Sequence, residues 1–179
     1  MAYLVVVYGA PLAGKTTVAW ELARSLPGKA AVVSTDQLTA GSIAVSDADA
    51  EAELEMAHTQ LRLLVANYLK NRYLVVVEGP FSFEREGRLI SFEHDIDQLV
   101  ALMRHLAPRA LVVRLNASEA VLRERALQTG REAELEPTLR MRTASKQRYG
   151  ERFLSFDTDS MRPDEIASAV RDSLTRETI

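Results

Sequence analysis

Tyr3 to Thr17, YLVVVYGAPLAGKTT, sets an apolar run of β type directly against Gly9-x-x-x-x-Gly14-Lys15-Thr16. That spacing is the residue pattern of a phosphate-binding loop. Glycine at 9 and 14 lets the backbone turn tightly, so that main-chain N–H groups point inward at oxygen atoms without a side chain in the way. The predicted cradle runs through Gly9, Ala10, Pro11, Leu12, Ala13, Gly14, Lys15, Thr16 and Thr17. Within it Lys15 supplies a mobile cation for β and γ phosphates, and the Thr16 hydroxyl can join the coordination shell of Mg²⁺. Val18, Ala19, Leu22, Ala23 and Leu26 follow at helical spacing. The loop therefore opens a helix whose N-terminal dipole also favours an anion.

The rest of the chain bounds what such a loop can serve. At 179 residues it holds one well-buried core and is too short for two ordinary domains, so 1–179 is read as a single domain. Its 47% apolar and 26% charged content is that of a globular protein. A net charge of −3 and a pI near 5.7 leave no global basic field to hold a nucleic-acid backbone, so nucleic acid is a disfavoured partner. The absence of cysteine excludes disulfides, thiol catalysis and cysteine-ligated metal. No apolar run approaches the ~18 residues of a membrane span and the N-terminus lacks an export-signal pattern; cytoplasmic residence is the expectation.

Four more β-type runs follow the first: Ala30 to Ser34, Tyr73 to Glu78, Arg109 to Leu115 and the shorter Phe153 to Phe156. They are near-continuously apolar, as parallel strands covered on both faces are. Between them lie helical patterns at Thr17 to Leu26, Asp47 to Lys70, Glu93 to Leu106, Ser118 to Gln128, Pro137 to Tyr149 and Pro163 to Thr175. Strand alternating with helix predicts an open, mostly parallel α/β sheet with right-handed crossovers, whose sites lie at the carboxyl ends of the strands. Thr39 to Ser46 and Phe81 to Ser91 read as loops.

The strand-end rule selects Asp36, Glu78, Asn116 and Asp157-Thr158-Asp159. Phosphoryl transfer needs the triphosphate held in line with an acceptor and the developing charge neutralised. Asp36 is the candidate to take the proton of an acceptor hydroxyl; its other reading is a helix cap. Glu78 ends the most apolar strand, where an acid can orient metal-bound water; its other reading is a structural pair with Lys15 or a backbone amide. Arginine is dense from Arg123 to Arg152, and a forked guanidinium suits phosphate oxygens, although such runs also form solvated faces with pairs such as Glu119–Arg123. Gln128 to Glu136 has too few apolar residues to pack firmly and could close over a nucleotide, so a mobile lid is expected around 125–137 with Arg125 and Arg131 as its phosphate contacts. Trp20 is expected in the core, and the three histidines are assigned no role. Phe81, Phe83, Arg85 and Arg88 either wall an acceptor pocket or, for the hydrophobes, fill a buried loop.

These residues resemble a small phosphate-loop kinase of the nucleoside-monophosphate-kinase-like superfamily, within it the branch of polynucleotide 5′-hydroxyl kinases, chloramphenicol phosphotransferase and zeta-toxin-like kinases. The similar segments are 5–23, 32–38, 74–81, 111–126 and 156–167, in the expected order. The resemblance implies a three-layer α/β fold with an open parallel five-stranded sheet of order 2-3-1-4-5, ATP with Mg²⁺, and transfer of the γ-phosphate to a hydroxyl. It matches Asp36 to the acceptor-activating aspartate, Arg125 to the first lid arginine, and Thr158 to Pro163 to the loop beside adenine. Three positions depart from the pattern: Glu78 stands where aspartate is commoner, Arg131 is displaced from the second lid position near Gln128 or Thr129, and Ala13 replaces a commoner serine or other small residue. The acceptor expected on this reading is a hydroxyl-bearing small molecule or nucleotide. A polynucleotide end kinase and a non-catalytic nucleotide-binding regulator are the alternatives.

Overall fold

Leu4 to Val7 are inaccessible to solvent although they alternate in direction along strand β1 (Tyr3–Tyr8), because both sides of the strand are covered. The computed structural model describes residues 2–38, 50–85, 88–91, 94–144 and 153–176. In chain order they form β1, α1 (Lys15–Ser25), β2 (Ala30–Ser34), α2 (Thr35–Leu38), α3 (Ala50–Lys70), β3 (Leu74–Gly79), β4 (Ser82–Arg85), β5 (Arg88–Ser91), α4 (His94–Met103), β6 (Arg109–Asn116), α5 (Glu119–Thr129), α6 (Leu135–Ala144), β7 (Phe153–Asp157) and α7 (Pro163–Arg176). Five strands make one parallel sheet ordered β2-β3-β1-β6-β7, which is the expected order when its strands alone are numbered.

The pleat divides the core in two. Leu4, Val6, Tyr8, Val75, Val77 and Val112 face α3 and α4, against Leu61, Val65, Ile96 and Leu99. Val5, Val7, Val76, Leu111 and Val113 face α1 and α7, against Val18, Leu22, Ile166 and Val170. The predicted helix signals act where they stand. The Ser118 Oγ accepts the Val121 N–H at 3.3 Å and caps α5, and Gly130 ends that helix in the left-handed conformation. Before α7, the Glu165 carboxylate accepts the Arg162 N–H at 2.8 Å, one half of a capping box ahead of Pro163.

Three expectations are corrected. Phe81 to Ser91 is not simply a loop: β4 and β5 pair antiparallel, Phe83 opposite Ile90 and Glu84 opposite Leu89. The sequence signal was a two-residue Glu86-Gly87 connection between short β-type runs, of the Asp-Gly kind that joins hairpins. Trp20 is 49% exposed, with Arg24 stacked 6.0 Å from its ring centroid. Its neighbours Val18 and Leu22 are buried, but two residues on a helix turn through ~200°, so Trp20 stands on the opposite face. The helix expected from Pro137 begins at Leu135; proline is tolerated there because first-turn N–H groups have no intrahelical partner. The expected loop at 39–46 and the end of the expected helix at 145–149 lie outside the described residues.

Candidate active site

β1 delivers the chain into the loop through Gly9, whose φ of 148° lies in the region that favours glycine. A Cβ at this position would stand 2.4 Å from the Leu115 carbonyl oxygen of β6, so the loop can leave the sheet here only without a side chain. Gly14, also at positive φ, is the N-cap of α1, which begins at Lys15. Lys15 is buried, and its Nζ donates to the Ala10 carbonyl at 2.9 Å. Burial brings its pKa down to about 8; the charges of Asp36 and Glu78 pull it back upward, and Arg131 adds to the lowering.

Glu78 stands level with Val7 of β1 and Ser34 of β2 and is 1% exposed. Its Oε2 accepts the Thr16 hydroxyl at 3.1 Å, the polar partner that a carboxylate at this depth requires. Asp36 is exposed, in the single turn of α2, and its charge is felt by Lys15 and Arg131. What fixes α2 is a pair that the sequence reading did not single out. A Cβ on Gly79 would lie 1.8 Å from the Oγ1 of buried Thr35, so the end of β3 accepts the residue before Asp36 only because position 79 has no side chain. No local pattern in the sequence signals this contact.

Gly79→Ala is expected to push Thr35 aside and destabilise the chain by about 1–3 kcal/mol, the usual cost of forcing an extra methyl into a packed site. Chemical denaturation measures it, and in a Thr35→Gly background the same substitution should cost clearly less. An equal cost in both backgrounds would place the strain elsewhere.

Arg125 reaches from α5 to the loop. Its Nη1 donates to the Leu12 carbonyl at 3.0 Å and the Thr158 Oγ1 at 3.1 Å, and its Nη2 to the Thr158 carbonyl at 2.9 Å. Thr158 in turn donates through its N–H and Oγ1 to the Asn116 carbonyl, at 2.8 and 3.0 Å. One guanidinium thus ties the turn around Leu12, itself at φ 63°, to the segment after β7. Arg131 is bonded by Glu134 through both carboxylate oxygens, the Nε contact being 2.8 Å, while its charge still reaches Lys15 and Asp36. Arg123 pairs with Glu119 on the solvated face. His58 pairs with Asp95 at 2.7 Å, linking α3 to α4. Among the described residues no cluster of three or more His, Asp or Glu is arranged as a metal site, and no helix is long and apolar enough to cross a membrane.

The sequence profile of a family described as "AAA domain" matches residues 4–152. No curated protein has a matching sequence. Solved structures with the same fold include a gluconokinase from Sinorhizobium meliloti, at 23% identity and a TM-score of 0.59 over 97% of this chain and 91% of that one. The APS kinase of Mycobacterium tuberculosis, in complex with AMPPNP and APS, is 18% identical with a TM-score of 0.67 over 97% of each chain. The shikimate kinase of Acinetobacter baumannii, in complex with shikimate, is 17% identical with a TM-score of 0.54 over 99% of this chain and 94% of that one.

Proposed function

We propose, for a chain that belongs to the AAA domain family and has the fold of P-loop kinases, that it is an ATP- and Mg²⁺-dependent kinase transferring the γ-phosphate to a hydroxyl of a small molecule or nucleotide. The observation that carries this reading is one convergence at the carboxyl edge of the sheet. Lys15 lies in the field of both Asp36 and Glu78, and Glu78 is hydrogen-bonded to Thr16.

The Thr16 hydroxyl and Glu78 carboxylate are hard oxygen donors side by side, a set that suits Mg²⁺. Bound there, the ion would neutralise charge on the phosphate oxygens. The chain's own groups do the rest. Lys15 exchanges the Ala10 carbonyl for phosphate oxygens, main-chain N–H groups of 9–17 orient the phosphates, and Asp36 accepts the proton of the attacking hydroxyl. Arg125 and Thr158 fix the wall on the nucleoside side of the loop. Arg131 serves as the mobile cation of a lid at 125–137, leaving Glu134 for phosphate. On this reading 1–179 works as one kinase domain.

Calorimetry with magnesium nucleotides, followed by a screen of nucleosides, sugars, antibiotics and short oligonucleotides for acceptor-dependent ADP release, tests the proposal. Nucleotide heat together with ADP release driven by one acceptor class supports it. Nucleotide binding with ADP release indifferent to every acceptor would favour a regulatory protein. Arg125→Ala should weaken Mg·ATP binding about 10–100-fold, the weight of charge-assisted hydrogen bonds that shape the loop; unchanged affinity would confine Arg125 to structure.

A further inference from the structure

Beside the loop, on the face of the sheet opposite α1, is a group that the catalytic reading leaves unused. Arg114 of β6 is level with Tyr8, the last residue of β1, and the pleat places both on the side of α3 and α4. Arg62, Arg109, Arg125 and Arg171, half-buried like Arg114, each donate a hydrogen bond inside the fold. Arg114 has neither hydrogen bond nor ion pair among the described residues. A partly desolvated guanidinium without a partner is unfavourable unless an anion arrives to meet it.

Arg142 of α6, itself exposed, lines a concavity with Arg114, Gly9, Ala10, Leu115, Asn116 and Ala117. Its Nε donates to the Ala117 carbonyl at 2.7 Å, which fixes the fork, and its terminal amino groups have no partner among the described residues. The carboxylate of Asp159 senses Arg142 weakly, but its Oδ1 is held by the Ser118 N–H at 2.9 Å. Two guanidiniums thus line a space that begins at the loop residues Gly9 and Ala10, the second of which holds Lys15 through its carbonyl.

We propose that this concavity is an anion subsite in which Arg114 and Arg142 bind a phosphate, sulfate or carboxylate group of the acceptor, so that the acceptor is an anionic hydroxyl compound. The assignment to the acceptor rests on the kinase reading. The space borders the start of the phosphate loop at Gly9 and Ala10, and Arg114 shares its face of the sheet with α3, the helix that follows Asp36 in the chain, which is the side from which an acceptor would meet that loop. Two forks, each offering paired N–H groups, match an oxyanion in a way that a single lysine would not.

With the loop saturated by Mg²⁺ and a non-hydrolysable ATP analogue, titration calorimetry with sulfate should detect one site per chain. Arg114→Gln or Arg142→Gln should weaken that site at least about tenfold, and Arg114→Lys less, as for loss of a charge-assisted hydrogen bond. In the acceptor screen, anionic compounds should outperform neutral analogues. Each glutamine variant should raise the acceptor KM about tenfold or more while the ATP KM stays within about twofold, the signature of lost acceptor binding. Melting temperatures identify variants that have lost their fold, and the lysine variant then carries the test. Sulfate binding indifferent to both substitutions, a rise in the ATP KM instead of the acceptor KM, or a neutral acceptor unaffected by either would overturn the proposal. Arginine-dependent sulfate binding without any acceptor-driven ADP release would retain the anion subsite and remove the kinase reading.

Discussion

Asp36→Asn is expected to lower acceptor-dependent ADP release by about 10²–10⁴-fold, the range supplied by a positioned general base, with the heat of Mg·nucleotide binding close to that of the parent chain. The substitution keeps size and hydrogen-bonding shape, and Asp36 projects from a turn seated by Thr35 against Gly79, so the fold has no reason to change. What disappears is the proposed proton acceptor and a negative charge. Because that charge raises the Lys15 pKa against the effect of burial, the variant should also titrate Lys15 at lower pH. Single-turnover rates measured with the identified acceptor decide the matter: an Asp36→Asn chain that turns over at the parental rate excludes Asp36 as the base.

Lys15→Met should be comparably severe, by about 10²–10³-fold or more, since on the kinase reading it removes the loop side chain that would place a positive charge on transferring phosphate oxygens. Here the effect should appear in nucleotide affinity as well as rate. The pH dependence has a definite sign. In the free protein Lys15 loses its proton as pH rises through about 8, whereas a phosphate at Nζ favours the ammonium. Mg·ATP binding should therefore weaken above pH 8 and be accompanied by proton uptake, visible as a dependence of the binding heat on buffer ionisation. The same shift acts oppositely on the unliganded fold. Between pH 8 and the ordinary lysine value of 10.5 the unfolded chain binds more protons at this group, so its contribution to stability grows as pH rises across that window. Binding heats without proton uptake near pH 9 would show that Lys15 keeps its ammonium in the free state.

Much of the candidate site was legible before any coordinates. The loop pattern located Lys15 and Thr16, and the strand-end rule located Asp36, Glu78 and Thr158, because both follow from where a crossover leaves a sheet. The partners were not legible. Thr16 meets Glu78 across 62 positions and Arg125 meets Leu12 across 113, contacts made by the register of β3 on β1 and by the path of α5 over the loop. The sequence reading took Arg125 as the first lid arginine and Arg131 as a displaced second; packing makes the first a clasp between the loop and Thr158, and the second a partner of Glu134.

The sequence by itself determined the five strands of the parallel sheet, the described ends of the helices it predicted to within a few residues and the phosphate-loop turn, since hydrophobic period, glycine and helix caps act over a few neighbouring residues. Only the tertiary structure decided that Trp20 faces outward, that Gly79 must make room for Thr35, and that Arg114 and Arg142 line one concavity. The reason is physical: the burial and charge environment of a side chain depend on which distant segments cover it, and that is fixed by sheet order and crossover packing, which no short window of residues contains.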